Sequence, residues 1–299
     1  MTLDGLFVVD KPAGWTSHDV VAKLRGVLRQ KRVGHAGTLD PVATGVLLVG
    51  FGRVTRLLRF LQETTKEYRG VVAFGVATDS LDAAGAVLER RPMPVTRAEV
   101  EAATRRFLGP LQQVPPMVSA LKVGGRRLHE LARAGKEVER EPRTVHVARF
   151  EVEKFEEGPY PRATVHVECS SGTYVRSLAA DLGTALGGPA HLAELRRLRV
   201  GPFTLADAHP LAEIEVDPFP KVLSPAAAMR GLARLGVDAD TARAVAHGAV
   251  FPESALAVAG VGPFALLDAS GSLLAVYERR GAALRPAVVI VNGGDAGAQ

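Results

Sequence analysis

The chain has 299 residues, 47% of them hydrophobic, which is enough to bury one large core and a small second one. Residues 1–7 lack the basic segment and apolar run of a secretion signal, and no stretch approaches the roughly 20 apolar residues that a membrane span needs. We therefore expect a cytoplasmic protein. The single cysteine, Cys169, has no partner for a disulfide or a metal site, so we interpret it as a buried small apolar residue.

The net charge of +5 is unevenly distributed along the chain. Residues 1–60 contain nine Lys and Arg against four acidic residues, and residues 121–143 contain seven against four. A local basic surface suits a polyanion such as RNA, because each neutralised phosphate releases counterions. A solvated basic face without a partner also explains the charge, so charge alone leaves both interpretations open.

The hydrophobic pattern of the first half of the chain predicts alternating strands and helices. Ser17 is expected to cap one helix and Thr96 another. After Pro115 and Pro116 the chain becomes polar, basic and rich in glycine, which indicates an excursion from the core at about residues 115–143. The other predicted elements are strands at residues 6–10, 46–51 and 66–77 and a helix through residues 57–61.

In the second half, alternation predicts strands at residues 145–155 and 163–169, followed by a helix that opens near Thr173. Residues 191–198, with two arginines, are predicted to be a short helix. Prolines cluster at residues 218–225, where the composition changes, so we predict two domains, 1–224 and 225–299. The second domain is expected to be a small β-rich module, with strands at residues 264–267, 273–277 and 288–291.

Common nucleotide and metal signatures do not occur in the sequence. The run Gly50-Phe51-Gly52 begins like a dinucleotide fingerprint but lacks the third glycine, and no phosphate-binding Gly-x-x-x-x-Gly-Lys-Ser/Thr motif occurs. The eight histidines show no helical His-x-x-x-His pair. These observations argue against ATP hydrolysis, nicotinamide chemistry and zinc catalysis.

Residues 34–45, Gly-His-Ala-Gly-Thr-Leu-Asp-Pro-Val-Ala-Thr-Gly, form a glycine-rich run with one carboxylate, Asp40. Its glycines let the backbone approach a ligand closely. Asp before Pro is also a common turn device, so the structural interpretation stays open. A catalytic Asp needs a partner that keeps it ionised, because a buried lone carboxylate tends to protonate. Arg176 is a candidate, since Tyr174 and Arg176 can share one side of an extended entry to a helix.

The run from residue 34 to residue 45 is similar to the catalytic motif of the TruB family of tRNA pseudouridine synthases. The resemblance covers roughly residues 5–205 and is weaker beyond Pro225. Further segments resemble family motifs in the same order: Val-Val-Asp-Lys-Pro-Ala-Gly-Trp-Thr-Ser at residues 8–17, Lys-Glu-Tyr at 66–68, Pro-Pro-Met-Val-Ser-Ala-Leu-Lys at 115–122, Gly-Gly-Arg-Arg-Leu at 124–128, Gly-Thr-Tyr-Val-Arg at 172–176, and Ala-His-Leu and Leu-Arg-Arg at 190–192 and 195–197.

The resemblance implies an α/β (α+β) fold, with a mixed, largely antiparallel sheet, flanking helices and a small PUA-like C-terminal domain that binds RNA. It implies an enzyme that isomerises uridine 55 in the T arm of tRNA to pseudouridine. Such an enzyme needs no metal, nucleotide or other cofactor, and we expect a monomer.

Carried over residue by residue, the resemblance makes Asp40 the nucleophile and Arg176 its ion-pair partner. Tyr68 is expected to stack on the target base, and Tyr174 to line the pocket beside it. His35 is expected to fill or brace the space left by a flipped nucleotide. Leu195 is expected to form an apolar wall of the pocket, and Lys11 to contact phosphates.

Two alternatives remain open at this stage. A non-enzymatic RNA-binding or tRNA-folding module would use the same basic surface and release RNA without product. A guide-RNA-dependent relative of the same superfamily would act on many RNAs together with protein partners.

Overall fold

The computed structural model describes residues 3–117, 119, 122–123, 126–127, 138–256 and 258–291. Much of the predicted basic excursion, and the end of the chain after residue 291, lie outside the described residues. The strands are β1 (Gly5–Lys11), β2 (Val33–Ala36), β3 (Thr44–Phe51), β4 (Lys66–Phe74), β5 (Val76–Thr78), β6 (Val87–Arg90), β7 (Gly109–Gln113), β8 (Lys122–Val123), β9 (Arg126–Arg127), β10 (Arg143–Glu156), β11 (Arg162–Cys169), β12 (Ala190–Val200), β13 (Phe203–Thr204), β14 (His209–Pro210), β15 (Ala233–Gly236), β16 (Phe251–Pro252), β17 (Phe264–Leu267), β18 (Leu273–Arg280) and β19 (Ala283–Val289).

The α-helices of the described residues are α1 (Ser17–Leu28), α2 (Leu58–Gln62), α3 (Arg97–Thr104), α4 (Val175–Ala185), α5 (Leu211–Val216), α6 (Pro225–Ala228) and α7 (Ala239–Ala246). A 3-10 helix, Gly52–Leu57, leads into α2. Across the described part of the chain, none of the helices combines the length and the apolar character needed to cross a membrane.

The large sheet of the described residues contains ten strands. Its main path runs β14-β1-β3-β12-β4-β11-β10-β7, with β2 paired to β3 and β13 to β12. Only the β1–β14 and β3–β12 pairs of this sheet are parallel. The prediction of a mixed, largely antiparallel sheet is therefore confirmed. Cys169 is 1% exposed, as expected of a small apolar residue in the core.

Helix α1 begins one residue earlier than the sequence predicted. Thr16, rather than Ser17, is the N-cap, and its hydroxyl accepts from the Asp19 amide while the Asp19 carboxylate accepts from the Thr16 amide. Ser17 is the first helical residue, and its buried hydroxyl bonds to the backbone of Leu39 instead. The predicted Thr96 cap of α3 is confirmed, with the same reciprocal arrangement to Glu99.

Residues 190–200 form a central strand, so the prediction of a short helix at residues 191–198 is wrong. Ala, Leu, Glu and Arg favour helix, yet β12 is hydrogen-bonded to β3 on one side and β4 on the other. Pairing on both edges outweighs this local preference. The predicted strand at residues 66–77 is divided in the structure. Strand β4 ends at Phe74, and Gly75, with a φ of +87°, separates it from β5, which begins at Val76.

A smaller sheet of the described residues contains five strands in the order β15-β17-β18-β19-β16. The predicted β-rich character of the C-terminal part is therefore confirmed. This sheet shares a hydrophobic cluster with the large one, since Leu6 and Val8 belong to the same cluster as Val276 and Val288. Residues of both predicted domains thus contribute to one core.

Candidate active site

A cavity of about 460 Å³ opens where β2, β4, β12 and the start of α4 meet the segment of residues 37–43, here called the Asp40 loop. Its volume lies in the range typical of sites for small organic groups. Six of the seven residues predicted to form the site line it together, although the chain separates them by up to 160 positions: His35, Asp40, Tyr68, Tyr174, Arg176 and Leu195.

Asp40 is ion-paired with Arg176 as predicted, at 3.0 Å between Oδ2 and Nε. The Arg176 side chain is 4% exposed and that of Asp40 is 37% exposed, so the carboxylate reaches the cavity while the guanidinium lies beneath the surface. Arg176 has a second acidic neighbour, Asp82, at 3.5 Å, and it donates to the backbone oxygen of Ser80 at 2.8 Å. Two carboxylates and a carbonyl therefore hold this arginine in one orientation.

Asp82 lies on the turn between β5 and β6 and was not predicted from the sequence. Its Oδ1 accepts from the Ser80 hydroxyl at 2.6 Å and from the Ala84 amide at 3.0 Å. The backbone of the same turn is fixed to β12 by the Asp82–Leu192 bridge. In the sequence, Asp79-Ser80-Leu81-Asp82 is typical of an exposed turn, so no local signal marked the buried carboxylate.

The groups around Asp40 change the pKa of its carboxyl in opposite directions. Burial is the largest influence and leaves the pKa of the Asp40 carboxyl above its usual value, whereas the Arg176 guanidinium is the largest influence that lowers this pKa. Asp82 raises this pKa, whereas the more distant cations Lys11 and Arg197 lower it. Arg176 is thus the group that most favours the ionised form of Asp40.

Lys11 does not lie where the sequence resemblance placed it. Its side chain is fully buried, and Nζ donates to the backbone oxygens of Trp15 at 2.6 Å, Pro12 at 2.9 Å and Pro41 at 3.4 Å. Burial lowers the pKa of Lys11 to about 8. In this arrangement the ammonium supports the Asp40 loop, whereas the resemblance implied a contact with a phosphate.

The two tyrosines are positioned by different means. Tyr68 lies on β4, directly across from Arg197 of β12, and is 7% exposed; burial raises the pKa of its hydroxyl. Tyr174 is the N-cap residue of α4, and Gln113 of β7 accepts from its amide at 2.8 Å and donates to its carbonyl at 3.1 Å. Arg176 lies in the first turn of α4, so the predicted helix entry is confirmed at residue 174.

His35 and Leu195 occupy the remaining predicted places. His35, on β2, packs edge-to-face against His18 of α1 with 5.6 Å between ring centroids. Leu195, on β12, is half-buried and packs against the main core while lining the cavity.

Two further cavity residues, Lys66 and Arg197, are buried cations that were not predicted as site residues. Burial lowers the pKa of Lys66 to about 8.

Comparison with family models and known proteins identifies this arrangement. The model for the TruB family pseudouridylate synthase N-terminal domain matches residues 25–175, and that for the tRNA pseudouridylate synthase B C-terminal domain matches residues 176–217. A Thermobifida fusca protein named tRNA pseudouridine synthase B is 46% identical over 296 residues, covering 96% of this chain and 98% of that protein. The chain belongs to the TruB family.

Other relatives and solved structures extend the comparison of this TruB-family chain. A Rhodococcus jostii protein of the same name is 48% identical and covers 93% of this chain and 90% of that protein. A chain in the crystal structure of a Cbf5-Nop10-Gar1 complex superposes with a TM-score of 0.76 at 26% identity, covering 98% of this chain and 86% of that chain. The predicted family and the predicted fold class are both confirmed.

Proposed function

We propose that this TruB-family protein isomerises uridine to pseudouridine in tRNA. The observation that carries the proposal is the Asp40–Arg176 ion pair on the wall of a cavity whose volume suits a single base. Its relatives at 46% and 48% identity are named tRNA pseudouridine synthase B, which supports tRNA as the substrate. The function is therefore inferred from a site geometry and from family membership together.

The reaction requires the target nucleotide to leave its stack. A base in a folded RNA loop is stacked on its neighbours, so an enzyme acting on its glycosidic bond must first extrude it. The Tyr68 ring on the cavity wall supplies a surface for stacking, which offsets part of that loss. His35, beside the cavity and braced by His18, fills the space that the flipped nucleotide leaves.

In the proposed chemistry the C1′–N1 bond breaks, the uracil turns within the cavity and a C1′–C5 bond forms. The C5 proton is lost and N1 gains a proton, so substrate and product have the same composition and no oxidant or ATP is consumed. Asp40 either attacks the sugar or the base covalently or removes a sugar proton. All three routes require an ionised carboxylate, which the Arg176 guanidinium favours.

Several finer features complete the proposal. The substrate position is uridine 55 in the T arm, Leu195 forms an apolar wall, and Tyr174 lines the pocket beside the base. Residues 225–299 serve as a PUA-like RNA-binding domain attached to a catalytic domain of residues 1–224, whose basic excursion contacts RNA. We further propose a cytoplasmic monomer that acts without a metal ion.

Incubation with an unmodified tRNA transcript tests this proposal. The transcript carries tritium at C5 of its uridines, so that isomerisation releases tritium, and pseudouridine is then mapped at nucleotide resolution. We expect one equivalent of release per tRNA and product at position 55 alone. Binding without release would favour a non-enzymatic RNA-folding module. Release that needs an added guide RNA and protein partners would favour the guide-dependent alternative.

A further inference from the structure

Arg197 is a buried cation at the point where the Asp40 loop and the Tyr68 strand meet. On β12 it is paired with Gly45 of β3 on one side and with Tyr68 of β4 on the other. Its side chain lies on the cavity wall, and the residue is only 1% exposed. Directly opposed residues on neighbouring strands project to the same face, which brings the guanidinium and the tyrosine ring together.

The guanidinium joins the start of the Asp40 loop to strand β3, which follows the loop, through backbone carbonyls. Nε donates to Val46 O at 2.7 Å, Nη2 to Gly37 O at 3.1 Å and Nη1 to Thr38 O at 3.3 Å. The planar fork of an arginine matches several acceptors at fixed angles, which the point charge of a lysine cannot do. Asp40 follows two residues after Thr38, so its backbone position depends on these bonds.

The same group acts on the stacking residue. Burial raises the pKa of the Tyr68 hydroxyl, and the nearby positive charge of Arg197 counters this rise. Arg197 therefore lies opposite Tyr68 on the neighbouring strand while its guanidinium holds the loop that carries Asp40.

The backbone of Arg197 fixes the loop as well. Gly45 adopts a φ of +100°, and a Cβ added there would lie 2.2 Å from the Arg197 oxygen. Only glycine permits so close an approach between the end of the loop and β12. The main chain and the side chain of Arg197 thus restrain the same segment.

The charge of Arg197 needs an explanation of its own. Within the described part of the chain, no carboxylate lies within 4.0 Å of this guanidinium, and its hydrogen bonds go to three backbone carbonyls. An apolar side chain of similar length would fill the space without the desolvation penalty of a buried cation. Stability therefore does not account for an arginine at this position.

We propose that Arg197 is a positioning residue that fixes the distance between the Tyr68 ring, on which the base stacks, and the Asp40 carboxylate. The inference rests on the proposed uridine isomerisation and assigns to that site a residue outside the Asp40–Arg176 pair. Loss of the fork changes the spacing between stacking surface and nucleophile, and misplacement of reacting groups by about 1 Å can lower a rate by roughly 100-fold.

The test uses single-turnover conversion of an unmodified tRNA transcript by saturating enzyme. Arg197→Lys keeps the charge and removes the fork, and Arg197→Met removes both without burying a charge. Arg199→Lys is the matched control, because Arg199 lies two residues further on β12 and pairs with Glu67 and Glu168 away from the cavity. The rate constant of the bound complex is independent of the folded fraction, which circular dichroism measures separately.

For Arg197→Lys we expect a rate constant about 10- to 100-fold below wild type, a tRNA Kd within about threefold and an unchanged acid limb of the pH profile. For Arg197→Met we expect a similar fall and an acid limb displaced to higher pH. The charged groups that face Asp40 are Arg176, Asp82, Lys11 and Arg197, and the methionine variant removes one of the three cations. Arg199→Lys should stay within about twofold of wild type.

Rate constants within about twofold of wild type for both Arg197 variants would overturn the inference and leave the proposed function intact. So would an equal fall for the Arg199 control, since the effect would then belong to β12 as a whole. Absence of conversion by the wild-type enzyme would instead refute the proposed function. The two failures are therefore distinguishable within one experiment.

Discussion

Replacing Arg176 by alanine is the most direct test of the electrostatic argument. The guanidinium lies 3.0 Å from the Asp40 carboxylate. Two charges at about 4 Å interact by about 1 kcal/mol in water and about 4 kcal/mol at an effective dielectric constant of about 20. Because 37% of the Asp40 side chain is exposed, the loss lies between these limits. Removal of the guanidinium should therefore raise the pKa of Asp40 further above its usual value.

The expected consequence is a displaced pH profile as well as a lower rate. An Asp40 that must be ionised gives an acid limb at its own pKa, so removal of the cation moves this limb to higher pH. Asp82, left without Arg176, reinforces the direction because its charge already raises the pKa of Asp40. Part of the activity lost at neutral pH should therefore return in alkaline buffer.

The assay measures single-turnover tritium release from tRNA as a function of pH for wild type, Arg176→Ala and the control Arg199→Ala. Circular dichroism at each pH limits the comparison to folded protein. An acid limb at the wild-type position, with a near-wild-type rate at neutral pH, would show that Arg176 does not control the ionisation of Asp40. A low rate without any displacement would reduce its role to geometry.

Three further substitutions test separate parts of the site. Asp40→Asn removes the charge at nearly constant size, so we expect no measurable turnover and a tRNA Kd within about threefold of wild type by filter binding, because phosphate contacts dominate binding. Asp82→Asn removes a negative charge that raises the pKa of Asp40, so the acid limb of the pH profile should move to lower pH. Lys11→Met removes a donor to three carbonyls; urea titration should show a loss of about 1–3 kcal/mol in the free energy of unfolding, while the slope of tRNA affinity against salt stays unchanged. Residual isomerisation in the first, an opposite displacement in the second or a reduced salt slope in the third would contradict the corresponding argument.

The part of the site that the sequence predicted is the part carried by recognisable motifs. Asp40 and Arg176 are 136 positions apart; the need of a catalytic carboxylate for a cation made Arg176 a candidate, and the resemblance to a family then paired the two residues. The structure confirms their ion pair and places Tyr68, Tyr174, His35 and Leu195 around the same cavity.

The sequence did not indicate which charged side chains of the site are buried. A lysine or arginine is usually solvated, so residue type alone did not indicate that Lys11 and Arg197 are buried and bonded to backbone carbonyls. Asp82 lies in a turn-like sequence and becomes a buried partner of Arg176 only because β5 and β6 fold onto β12.

The wrong prediction of a helix at residues 191–198 also arose from a feature of the folded sheet that residue type does not reveal. Alternation of buried residues along β12 is irregular, because bulges interrupt its pairing with β4 near Leu192 and Arg197. A strand with such breaks does not show a period of two, and its Leu and Arg content then favours a helical interpretation. The bulge that obscured the pattern follows directly after Arg197, at the edge of the cavity.

The three cations around Asp40 have different roles, because their donor groups bond to different acceptors. Arg176 is the cation in contact with the carboxylate, whereas Lys11 and Arg197 direct their donors to backbone oxygens and lower the pKa of Asp40 from a distance. If all three cations bonded the carboxylate directly, its lone pairs would be occupied and its nucleophilicity reduced. Cations that hold the backbone stabilise the charge and leave the carboxylate open to the cavity. Because these three residues come from β1, α4 and β12, this balance exists only after the sheet has assembled.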